Sequence, residues 1–120
     1  MIFLLGLGVA GCVPAARSVE IEARDGPLIR LTNGTVVDES GRLMWSAADN
    51  GADISFEKAV DYVNALDFAG YRDWRLPSLQ ELETLLVEGA GNPTPPGTGC
   101  FGGYDIHRFF ELTCCCPWAV

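Results

Sequence analysis

Basic charge is what this sequence has least of. Eight Lys and Arg stand against sixteen Asp and Glu, a formal net charge of −8 at pH 7, and the eight are scattered from Arg17 to Arg108 without a cluster. A surface of that sign repels nucleic-acid backbones and anionic membranes, so no nucleic-acid partner is expected. The same acidity suits an exported surface protein, although by itself it reports no more than solubility. Long apolar runs are also missing. The one continuous run, "MIFLLGLGVAGC" at the amino terminus, is too short to span a bilayer. Histidine is nearly absent, His107 being the sole imidazole, and no carboxylate cluster has the spacing of a calcium loop. What is present, 120 residues of which 48% are apolar and 20% charged, suits one compact domain. If roughly 100 residues order, folding buries about two-thirds of the extended-chain surface, enough for a core with little margin.

The amino-terminal run has the length of a signal-peptide core and is set apart from the fold as residues 1–11. It ends in Val9-Ala10-Gly11-Cys12, which resembles the bacterial lipobox: an apolar residue and two small ones before the cysteine that receives the lipid. Cleavage leaves Cys12 as the first residue, carrying acyl chains whose buried methylenes contribute about 0.8 kcal/mol each. The membrane is thus an expected partner, through a lipid anchor. Val13 rather than aspartate follows the cysteine, which favours the outer membrane, facing the periplasm or the cell exterior. The pattern departs from the usual leader in having no Lys or Arg after Met1. A buried apolar strand or helix is the competing reading.

Residues 12–29 read as a tether with a first strand, because Ser18 to Ala23 alternates apolar with polar. The domain proper is placed at 30–120. In "GTVVDESGRLMW", Thr35-Val36-Val37 and Leu43-Met44-Trp45 flank Glu39-Ser40-Gly41, a hairpin in which Gly41 is expected at positive φ. From Ser55, an N-cap by its chemistry, Phe56, Ala59, Val60, Val63 and Leu66 recur at helical spacing. A second helix opens at Ser78 with a capping box to Glu81. It presents Leu79, Leu82, Leu85 and Leu86 as its buried stripe, with Gly89 as its end.

Between the helices lies "GYRDWRLP", residues 70–77. Pro77 keeps Leu76 out of the helical region, so the segment runs extended into the cap. Trp74 is then an anchor. Asp73, between Arg72 and Arg75, is expected to accept from either, while Arg75 offers five donors to neighbouring loops. No nucleophile, base or metal ligand stands nearby in sequence, so Asp73, Trp74, Arg75 and Pro77 read as a structural clasp rather than a catalytic site.

The order of these elements, and above all Gly70, Tyr71, Asp73, Trp74, Arg75, Leu76, Pro77, Glu81 and Leu82, resembles the Lcl C-terminal domain family. That family is named after the carboxyl-terminal domain of a bacterial collagen-like adhesin and is catalogued as a domain of unknown function. The resemblance covers roughly residues 30–118. It implies an α+β, C-type-lectin-like fold related to sulfatase-modifying factors, with two helices packed on a small twisted antiparallel sheet, in secreted or surface proteins. It implies no catalytic residues. Members continue past the segment corresponding to "FFELTCCCPWAV" into further strands, so this chain is expected to be a member truncated at the carboxyl terminus, with an incomplete sheet.

With Cys12 lipidated, Cys100, Cys114, Cys115 and Cys116 remain. In an oxidising compartment one bridge from Cys100 to the triplet is expected, its partner left open, closing a loop of about 15 residues worth around 3 kcal/mol; the two thiols left over are expected to pair outside the present chain. Zinc would use the same cysteines with His107, but three consecutive cysteines fit ligand spacing poorly. No metal and no cofactor is therefore expected. In the Gly/Pro-rich "EGAGNPTPPGTGCFGGYD", Phe101 and Tyr104 beside Asp105 suit stacking on and hydrogen bonding to a sugar, against the plainer reading of a connector. Two functions remain: a non-enzymatic, lipid-anchored surface module that binds a glycan or protein, and a cysteine-dependent redox or metal enzyme of the sulfatase-modifying type.

Overall fold

The computed structural model describes residues 5–6, 18–52, 54–88, 106–112 and 120. Its architecture is α+β: an antiparallel sheet built by four consecutive strands, two helices, and a short carboxyl-terminal strap. The strands are β1 (Leu5–Gly6), β2 (Ile21–Asp25), β3 (Leu28–Leu31), β4 (Thr35–Asp38) and β5 (Leu43–Ser46). Spatially they run β1-β5-β4-β3-β2, so β2 to β5 form a meander and the two-residue β1 pairs on the outer edge of β5, Leu5 opposite Trp45 and Gly6 opposite Met44. The helices are α1 (Phe56–Ala65) and α2 (Leu79–Glu83).

The hairpin at 35–46 pairs Val36 with Trp45 and Asp38 with Leu43. The expectation for its loop is corrected in one respect: the positive φ falls on Arg42, at 54°, and not on Gly41. The Asp38 carboxylate explains the shift. Its Oδ1 accepts from Ser40 N at 3.0 Å, Ser40 Oγ at 2.6 Å and Gly41 N at 3.3 Å, winding the chain so that the left-handed residue comes one later. Gly41 is wanted for space, since a Cβ there would lie 3.2 Å from Asp38 Oδ2.

Two further corrections concern the first hairpin. The first strand sits at Ile21–Asp25 rather than Ser18–Ala23, and β3 follows it immediately. Asp25 pairs with Leu28, leaving Gly26-Pro27 as a two-residue loop with Gly26 at φ 55°, the sign such loops require. Residues 21–25 and 28–31 are therefore sheet, and β3 runs through position 29, where the tether was expected to end.

Alternation along β5 distributes its side chains between two cores. Trp45 joins Leu28, Val36, Leu82, Leu85, Ile106, Phe109 and Phe110, whereas Met44 packs on Ala59, Val63, Trp74 and Leu76. The segment from Trp74 to Leu82 thus leads the chain from the cluster beneath α1 to the cluster beneath α2. Ser55 caps α1, accepting from Lys58 N at 3.4 Å, and Ala59 and Val63 are its buried residues. Phe56, expected in the stripe, is exposed. In α2 the buried residue is Leu82, and Leu85, just past its end, is buried as well, while Leu79 and Leu86 are 63% and 59% exposed. The chain tightens after Glu83: Leu85 N bonds Leu82 O and Leu86 N bonds Glu83 O. In such turns i and i+3 eclipse, which keeps Leu85 over Leu82 and carries Leu86 off the buried face. The helix accordingly ends before Gly89, which lies outside the described residues.

Candidate functional site

The clasp is built from a turn upward. Phe68 and Tyr71 exchange backbone hydrogen bonds at 3.0 and 2.9 Å, and the two residues between them, Ala69 and Gly70, have φ of 54° and 84°. Positive φ at both central positions is the type I′ pattern, and it accounts for Gly70. Trp74 then lies 3% exposed with its Nε1–H donating to the carbonyls of both Phe68 and Tyr71 at 3.1 Å. Its ring packs 5.6 Å from Phe68 and edge-on to Tyr71 at 6.4 Å. Alanine is strained at position 69, so Ala69→Gly is expected to stabilise the protein by about 1 kcal/mol, read as a rise in urea midpoint; an unchanged midpoint would show the strain to be absent.

Arg75 closes the clasp onto α2. It grips Glu81 with both arms, Nη2 to Oε1 at 2.7 Å and Nη1 to Oε2 at 2.9 Å, and Nη1 also donates to Leu76 O at 3.2 Å. Glu81 in turn accepts from Ser78 N at 2.7 Å while Ser78 Oγ accepts from Glu81 N at 3.2 Å, the reciprocal cap expected from the sequence. The Arg75 hydrogen bonds, chiefly, hold the Glu81 carboxyl well below its ordinary value, to about 2, against the opposing effect of burial. Pro77 is fully buried and its carbonyl accepts from Val120 N at 2.9 Å.

Asp73 departs from expectation. It is exposed and takes neither arginine, because Arg72 pairs with Asp67 at 2.9 Å and Arg75 with Glu81 at 2.7 Å. An extended segment sends alternate side chains to opposite sides, so Asp73 points away while Trp74 enters the core.

The depressed Glu81 carboxyl sets a pH dependence. Its charged form is favoured by folding, so its contribution is complete above the unfolded value of about 4.5 and is lost as pH falls through about 2. Arg75 is 43% exposed, and solvent screening reduces the pair to about 1 kcal/mol. Parent and Glu81→Gln are expected to differ by that amount near pH 7 and to converge between pH 4.5 and 2. A gap that persists at pH 2 would contradict the assignment.

A second constellation joins residues far apart in sequence. His107 is 8% exposed, and its Nδ1 accepts from Phe109 N at 3.2 Å. The ring proton therefore sits on Nε2, which donates to Asp25 Oδ2 at 3.1 Å, across 82 positions of sequence. Arg108 Nη2 reaches the same oxygen at 3.1 Å, its guanidinium 5.6 Å from the centre of the Phe109 ring. Asp25, Val87, His107 and Arg108 line a cleft of about 300 Å³.

The strap carrying His107 and Arg108 is fixed from three sides. His107 N donates to Leu85 O at 2.9 Å, and Glu111 N to Ala47 O at 2.8 Å. Arg30 donates to Phe109 O at 2.7 Å, Glu111 Oε1 at 3.2 Å and Glu22 Oε2 at 3.0 Å. None of the Asp25, Arg30 or Arg108 contacts was anticipated from the sequence; the Asp25-Gly26 turn was the available signal for Asp25's position at a strand end.

Among the described residues no three His, Cys, Asp or Glu side chains come together to hold a metal, and no helix is long and apolar enough to cross a membrane. Cys12, Cys100, Cys114, Cys115, Cys116, Phe101, Tyr104 and Asp105, the expected lipidation, disulfide and ligand residues, lie outside the described residues. Compared with known families, residues 34–104 match the Lcl C-terminal domain. No curated protein and no solved structure is matched.

Proposed function

The chain belongs to the Lcl C-terminal domain family, and from that premise we propose that it is a non-enzymatic bacterial cell-surface module, lipid-anchored at Cys12, that binds a glycan or protein partner. The clasp and the two cores serve as scaffold; Phe101, Tyr104 and Asp105, read from the sequence, and independently the cleft at Asp25 and Arg108 are the candidate contact residues. The architecture is read as C-type-lectin-like. Among the described residues, processing before Cys12 would remove β1 and leave the meander β2 to β5 whole.

The observation that carries this reading is the commitment of His107. The sole imidazole of the chain has one nitrogen accepting from Phe109 N and the other donating to Asp25. It is held in place by both, as a structural residue is, and offers the cleft no lone pair for general-base work. The test uses the full-length lipidated protein in detergent, applied to arrays of glycans and of cell-surface proteins, with alkylation of thiols in parallel. Saturable retention on an array, with no cysteine alkylated before reduction, is the expected result. A rapidly alkylated thiol with no retention on either array would overturn the reading in favour of cysteine chemistry.

A further inference from the structure

We propose that the cleft at Asp25 and Arg108 is a site for the vicinal diol of an uncharged sugar; this rests on the binding-module reading and names its ligand class. Two adjacent ring hydroxyls offer a donor on one carbon and an acceptor on the next. The cleft offers the complement. Asp25 Oδ2 is taken up by His107 Nε2 and Arg108 Nη2, both at 3.1 Å, while Asp25 Oδ1 and Arg108 Nη1 and Nε have no partner among the described residues. One carboxylate oxygen is thereby left to accept from a hydroxyl, beside guanidinium N–H groups that donate to its neighbour.

The charge pairing decides which ligands are tolerated. A sulfated or carboxylated ligand would gain Arg108 but meet Asp25 and a chain of net charge −8, and a cation would meet Arg108; a neutral polar group meets neither penalty. His107 is a positioning residue here. Its Nε2–H holds the Asp25 carboxylate, and its Nδ1, fixed by the Phe109 amide, pins the ring. Phe109 does the same for the guanidinium plane of Arg108 from 5.6 Å. Val87, 43% exposed, supplies an apolar surface for the C–H face of the sugar ring. A volume of about 300 Å³ lies at the lower end of the roughly 300–1,000 Å³ found for small-molecule clefts, room for a single ring rather than an extended chain.

The experiment is titration of the isotope-labelled full chain, followed by amide NMR, with the methyl glycosides of mannose, glucose and galactose. Per-O-methylated versions and a sulfated disaccharide serve as controls. The expected result is saturable shifts at Asp25, Val87 and Arg108 with a roughly millimolar Kd for at least one free glycoside, and none for its methylated form. Arg108→Gln, at an exposed position, is expected to weaken binding by about fivefold or more with an unchanged melting temperature, and Arg108→Lys to recover part of it. Equal shifts with the methylated sugar, tighter binding of the sulfated one, or unaltered affinity in Arg108→Gln would each overturn the proposal. Retention on the arrays while these amides stay unmoved would leave the binding module standing, with a protein or another glycan surface as ligand, and remove the cleft as its site. Silence in both experiments would remove both.

Discussion

Replacing Trp74 by alanine is expected to lower the unfolding free energy by about 3–5 kcal/mol and the melting temperature by about 12 °C or more. The indole is 3% exposed and fills the cluster of Ala59, Val63 and Leu76, so its removal leaves a cavity that the type I′ turn above it cannot collapse into without breaking its own pairing. It also strips the carbonyls of Phe68 and Tyr71 of a shared donor. Trp74→Phe separates the two contributions: it retains most of the packing and loses the hydrogen bonds, and a cost of about 1–3 kcal/mol is expected. Equal melting temperatures for Trp74→Ala and the parent would refute the structural role of the segment and reopen the question of an activity there.

Trp45→Ala is expected to cost a similar 3–5 kcal/mol, through the other core. Trp45 is 0% exposed, stands opposite Val36 in the sheet and meets Phe110 edge-on at 6.2 Å and 82°. It is therefore the residue against which the strap of residues 106–110 is packed. Beyond the global loss, hydrogen exchange at the amides of His107 and Phe110 is expected to accelerate more than at Ala59 and Val63, which belong to the cluster around Trp74. Uniform acceleration across both groups would show that the two clusters open as one unit.

The parts of this fold that were readable in the sequence are those whose cause is local. Ser78 and Glu81 satisfy each other within one helical turn, Pro77 restricts only its neighbour, and the β-branched run at 35–37 faces its partner across a short loop. The misplaced residues were those for which the local pattern was right but its continuation was not. Leu79 and Leu86 fit a helical stripe, yet α2 is five residues long and closes in tighter turns, so the period of 3.6 stops applying. Gly41 fits a bulged loop, yet the Asp38 carboxylate moves the positive φ to Arg42. Asp73 fits between two arginines in sequence, but Arg72 is taken by Asp67 and Arg75 by Glu81, carboxylates five and six positions away. The Asp25–His107–Arg108 group and the Arg30 tie to the strap join residues some 80 positions apart, and no spacing rule reaches that far; only the assembled sheet brings them together.

The proposed anchor at Cys12 is the part of the account on which location and partner both depend, and intact-protein mass spectrometry of material made in a bacterial host, with and without reduction and alkylation, tests it most directly. The account predicts a mass lacking residues 1–11, increased by acyl chains on Cys12, with the remaining cysteines blocked until reduction. A full-length, unacylated chain with thiols open to alkylation would contradict it, and would leave β1 in place on the edge of the sheet.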